Sequence, residues 1–215
     1  MNTLYLLSGP TRVGKSTIMR ELVAQTGVQL IAADALEHGL RNVLIGDPHQ
    51  MLRGIRLQGE AEHKISFTDV GDWRPFENNS TESELLLEFI IGTLDYYRRN
   101  KESVAFEGTE FSPAWVTRLK IPAFEIKVAY VGYTDAHHVE QVLLHAQGND
   151  YDWINDWLEN ENGDETKIRA WAQKIADKCK ELKIDAETHG FKFFDISTQP
   201  FDVYKKAVLN HLIES

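Results

Sequence analysis

Gly9-Pro10-Thr11-Arg12-Val13-Gly14-Lys15-Ser16 is the stretch on which the reading of this chain turns. Its two glycines let the main chain wrap closely around phosphate oxygens, whose charge is met by main-chain N–H groups and by the N-terminus of a following helix. Lys15 supplies a mobile point charge to β- and γ-phosphates, and the Ser16 hydroxyl is a ligand for magnesium. Thr11, Arg12 and Val13 fill the loop and Thr17 follows it, so all lie within reach of a bound triphosphate. At average composition the pattern arises by chance in about one chain in a hundred of this length. The flanking sequence narrows it further. Leu4-Tyr5-Leu6-Leu7 before it reads as a buried parallel strand, and Ile18, Met19, Leu22 and Val23 after it recur at helical spacing, with Gly27 placed to end that helix.

Moving outward, the same strand-then-helix pattern repeats. Val28 to Ala33 is a second apolar run ending at Asp34, and Ser103 to Phe106 a third, ending at Glu107-Gly108. Ile126 to Val131 is the fourth, and Phe191 to Phe194, ending at Asp195, the fifth. Helical stripes occupy Leu85 to Tyr97, Thr166 to Glu181 and Val203 to Leu212. Strands alternating with helices predict an α/β fold with a parallel sheet covered on both faces and ligands at the carboxyl ends of the strands. Two stretches depart from the pattern. Residues 46–80 are rich in His, Arg, Gly and Asn, and residues 148–165 are acidic and polar with Tyr151, Trp153 and Trp157. Long irregular stretches in a compact domain are lids, substrate-binding inserts or disorder, and these two read as a substrate-binding insert and a lid-like segment.

The chain has 215 residues and a formal net charge of −10. That balance disfavours broad binding to nucleic acid or to an anionic membrane, which use excess Lys and Arg to displace counterions. Any anion must be captured locally. The single cysteine, Cys179, excludes an intrachain disulfide and a zinc-thiolate cluster, and reads as a small buried thiol. The N-terminal apolar run is a strand rather than a signal peptide, and no uncharged apolar stretch reaches membrane-spanning length, so the expected location is the cytoplasm. His137, His138 and His145 fall near Glu140, but no flanking motif supports a zinc site.

No guanine-reading N-K-x-D is present. With Gly9 to Ser16, Ala33-Asp34 after the second strand, Val104-Ala105-Phe106-Glu107-Gly108 followed by Pro113, and Phe193-Phe194-Asp195-Ile196-Ser197, the chain resembles the nucleoside-monophosphate-kinase-like group of P-loop kinases. The resemblance is to the small bacterial kinases described as adenylate-kinase-like or 2-phosphoglycerate-kinase-like, and more distantly to shikimate kinase and chloramphenicol phosphotransferase. It implies a P-loop NTPase three-layer α/β/α sandwich with a five-stranded parallel sheet. Residues 1–215 would form a single kinase domain, a monomer or a homodimer, using ATP and Mg2+ to phosphorylate a hydroxyl of a small molecule.

The resemblance also implies roles. Asp34 would bind the acceptor or act as general base, although Asp34-x-x-Glu37 equally reads as a helix cap with its box partner. Glu107 would organise magnesium with Ser16, or be a solvated strand-end carboxylate; Glu110 is a second choice. Arginines neutralise the transferring group in these kinases, yet none lies between Arg118 and Arg169. Arg169 is the candidate from the following helix, with a surface role as the alternative. Arg53, Arg56 and Trp73, with Arg74 and Phe76, fall where the group holds its acceptor, and cations with aromatic faces suit an anionic or ring-bearing molecule, with a solvated charged loop as the alternative. Thr198 and Pro200 fall where relatives contact adenine. Two other readings stay open: a nucleotide-gated binding protein, and a toxin-like kinase of nucleotide sugars.

Overall fold

The five apolar runs are five strands in a computed structural model that describes residues 2–43, 81–119, 121, 124–135, 138 and 165–214. They are β1 (Asn2–Ser8), β2 (Gln29–Ala32), β3 (Val104–Gly108), β4 (Phe124–Gly132) and β5 (Lys192–Asp195). All pair in parallel, in the order β2-β3-β1-β4-β5. Every residue of β3 is buried, as a central parallel strand covered on both faces requires. The α/β fold with an all-parallel five-stranded sheet is therefore the one the sequence predicts.

Among the described residues the helices are α1 (Lys15–Thr26), α2 (Ala33–Val43), α3 (Thr81–Asn100), α4 (Pro113–Arg118), α5 (Glu165–Thr188) and α6 (Phe201–Glu214). Two of these, α2 and α4, are not foreseen as helices by the periodicity. The first starts directly where β2 ends, and the second has only six residues. Even so, α4 has a clear start: the Ser112 side chain accepts a hydrogen bond from the Trp115 N–H, and Pro113 opens the helix.

Alternation along the strands divides the core in two. Leu4, Leu6, Phe106, Val128 and Tyr130 join Leu86, Ile90 and Leu94 of α3 and Trp115 of α4. Leu7, Ala105, Ala129 and Val131 join Ile18 and Leu22 of α1 and Tyr204, Val208 and Leu212 of α6. Helix α5 contributes to both, through Cys179 on one side and Leu182 on the other. Burial pushes the Cys179 thiol up to about 12, so it is an inert core group. Because all pairing is parallel, every strand presents its carboxyl end to the same edge of the sheet. No described helix is long and apolar enough to cross a membrane.

Candidate functional site

The loop between β1 and α1 lies at the centre of that edge. Gly9 passes between two neighbouring strands: its N–H donates to the Gly108 carbonyl at the end of β3 at 3.2 Å, and a Cβ in its place would overlap the Val131 carbonyl oxygen of β4. Only glycine fits. Gly14 then precedes α1 in the left-handed region, at φ 78. Here a Cβ would meet the ring edge of Phe201 at 2.5 Å. No side chain caps this helix, so its first N–H groups and the positive end of its dipole face the loop.

Lys15 opens α1 and is 8% exposed. Its Nζ donates to the Pro10 carbonyl at 2.8 Å, folding the side chain back across the loop. Burial pushes its ammonium below the usual lysine range, while the carboxylates of Asp34, Glu107 and Glu110 pull it back up in part. Those same three carboxylates mark the acidic side of the site. Asp34 is exposed and lies in the first turn of α2, which begins at Ala33, so it meets the positive end of that helix rather than preceding it as a cap. Glu107 is 7% exposed at the end of β3, and its Oε2 has no hydrogen-bond partner. Glu110 is 1% exposed and accepts a hydrogen bond from the Thr109 hydroxyl at 2.9 Å.

Ser16 and Thr17 are exposed in the first turn of α1, Thr11 and Arg12 are half-buried, and Val13 is buried. Thr198 and Pro200 lie in the turn after β5, which Phe201 brings against Gly14. Arg169 is exposed on α5 and paired at 2.9 Å with Glu165 one turn before it. Arg53, Arg56 and Trp73 lie outside the described residues, as do the proposed insert 46–80 and all of the segment 148–165 except Glu165.

Three residues, Tyr204, His138 and Asp195, make contacts around the loop that the sequence does not announce. The Tyr204 hydroxyl, from α6, donates to the Val13 carbonyl at 3.0 Å in a buried contact, and burial raises its phenol so that it stays a donor. His138 Nε2–H donates to the Arg12 carbonyl at 3.1 Å, with its ring 4.6 Å from that of Tyr133. Asp195, at the end of β5, accepts from the N–H and hydroxyl of both Thr134 and Ser197. Burial alone would raise its carboxyl, but these four donors hold it below the usual aspartate value. Each contact joins residues far apart in the chain or depends on a turn shape, so no spacing rule announces them. Among the described residues no group of His, Cys, Asp and Glu is arranged to hold a metal by itself.

No family model matches the chain, and no curated protein does so at a significant level. Solved structures do share its fold. A gluconokinase from Sinorhizobium meliloti 1021 superposes with a TM-score of 0.53 at 14% identity, over 99% of this chain and 92% of that one. An uncharacterized protein from Eubacterium ventriosum ATCC 27560 superposes with a TM-score of 0.51 at 11% identity, over 100% of both chains. At these identities the likeness is one of fold.

Proposed function

We propose that this chain is an ATP- and magnesium-dependent phosphotransferase acting on a hydroxyl of a small molecule such as a metabolite, nucleoside, nucleotide or antibiotic. The observation that carries the reading is Lys15, at an uncapped helix N-terminus behind a glycine loop, facing the carboxylates of Asp34, Glu107 and Glu110. A cation and oriented N–H groups on one side, with carboxylates on the other, provide what phosphoryl transfer requires. The phosphates are held, charge is neutralised, and an attacking hydroxyl can be oriented.

In this reading the loop amides, Thr11 to Thr17 and the Lys15 ammonium hold the triphosphate, Lys15 leaving the Pro10 carbonyl for the phosphates. Ser16 and Glu107 would hold magnesium. The residues fit a hard cation, since both offer oxygen and the buried Glu107 Oε2 has no other partner. Magnesium bound there supplies neutralisation of charge on the β- and γ-phosphate oxygens. Asp34 orients the acceptor hydroxyl or accepts its proton, and Arg169 exchanges Glu165 for the transferring group. The turn carrying Thr198 and Pro200 takes the base, and Arg53, Arg56 and Trp73 take the acceptor. The gluconokinase of like fold is consistent with a hydroxyl acceptor in general.

The test is incubation with ATP and magnesium over a panel of hydroxyl-bearing metabolites, followed by phosphorus NMR. A new phosphate ester that disappears with Lys15→Ala, and forms at least tenfold more slowly with Asp34→Asn, is the expected result. Intact triphosphate binding in Lys15→Ala would sink the reading of the loop. Triphosphate binding with no acceptor modified would move the protein to the class of nucleotide-gated binding proteins.

A further inference from the structure

Three carbonyls of the loop are each taken by a side-chain donor from a different place in the chain. Lys15 holds that of Pro10 at 2.8 Å, His138 that of Arg12 at 3.1 Å, and Tyr204 that of Val13 at 3.0 Å. The loop needs holding, because Arg12 is itself in the left-handed region at φ 67, a conformation that disfavours any residue with a side chain. In a planar trans peptide the C=O and the next N–H point in opposite directions. Fixing the carbonyls of Arg12 and Val13 therefore fixes the directions of the Val13 and Gly14 N–H groups.

From this we infer that His138 and Tyr204 are positioning residues for the triphosphate: they draw two successive carbonyls outward so that the N–H groups behind them face the phosphates. The inference rests on the phosphate-binding reading of the loop. It gives the two residues a role that persists in the bound state. Lys15 is needed at the phosphates and leaves Pro10, whereas His138 and Tyr204 are donors whose acceptors do not move away. Neither touches phosphate, so their effect passes through the loop.

The test is calorimetric titration of the whole chain with two probes, magnesium-ATP and magnesium-tripolyphosphate, together with the thermal midpoint of each unliganded protein. Tyr204→Phe removes only a hydroxyl, whereas His138→Ala removes the ring donor together with the ring that packs on Tyr133. Each is expected to weaken both probes by the same factor, about two- to tenfold, the range of one ordinary net hydrogen bond. His138→Gln, which keeps a side-chain N–H, is expected to recover most of the loss. A lowered thermal midpoint with unchanged dissociation constants would reduce both residues to structural supports and overturn the inference. So would a loss confined to ATP, which would indicate contact with the base. If Tyr204→Phe does not fold, the His138 pair decides. If the unaltered protein binds neither probe, the reading of the loop fails; if it binds both and the variants bind equally well, only the positioning role fails.

Discussion

At Gly9 the main chain passes so close to β4 that one methyl group would strike the Val131 carbonyl, a main-chain group of a strand that is itself paired with β5. The obstacle at Gly14 differs: its added carbon would meet the ring edge of Phe201, a side chain 37% exposed and free to turn aside, and the remaining cost is the left-handed backbone. Gly14→Ala should therefore destabilise by about 1–2 kcal/mol. Gly9→Ala should cost more, about 3 kcal/mol, because backbone has to move. Urea unfolding of the two variants measures the difference, and equal costs would mean that β4 yields as easily as the Phe201 ring. Both glycines were legible as parts of a phosphate-binding pattern, since that pattern is local. Their reasons are separate, however, and depend on β4 and α6, more than a hundred residues away, which no local pattern includes.

At the scale of elements, Asp195 joins the end of β4 to the turn that leads into α6, through Thr134 and Ser197. Its carboxyl titrates below the ordinary aspartate value of 3.8 in the folded chain. The unfolded chain therefore binds the proton first as pH falls, and the stability this group contributes is complete above that value and lost as pH drops through the lower folded one. Asp195→Asn should be less stable than the native protein by a constant amount above about pH 5, with the gap closing in the acid range. Urea midpoints between pH 2.5 and 6, on the order of half-unit steps, would show it, and a gap that widens on acidification would refute the assignment. The element scale also shows what the sequence could and could not supply. The five parallel strands are short apolar runs ended by polar residues, so β1 to β5 could be read directly. Periodicity missed α2 because Ala33 and Asp34 continue from β2 without a break, although the cap reading of Asp34-x-x-Glu37 pointed to a helix there, and it missed α4 because six residues are too few to display a period. Ser112-Pro113 did carry a start signal for α4, readable by its capping chemistry rather than its hydrophobic pattern.

For the whole molecule, the sheet order places β3, β1 and β4 inside and β2 and β5 outside among the described strands. The inner strands carry fully buried residues from both core clusters, whereas every residue of β2 is exposed or half-buried. Amide hydrogen exchange should then be slowest in β1, β3 and β4, approaching the global unfolding limit, and measurably faster in β2. Uniform protection across all five strands would mean that the sheet opens only as one unit. In the proposed reading, the acidic balance of the chain, −10 overall, leaves anion capture to this local centre, where a helix end and Lys15 lie near three carboxylates. The hydrogen bond from Tyr204 to Val13 closes a span of 191 residues. During synthesis the loop and its two glycines emerge well before α6, whose Tyr204 hydroxyl holds the Val13 carbonyl. The order of synthesis thus leaves the loop unbraced at Val13 until α6 has left the ribosome.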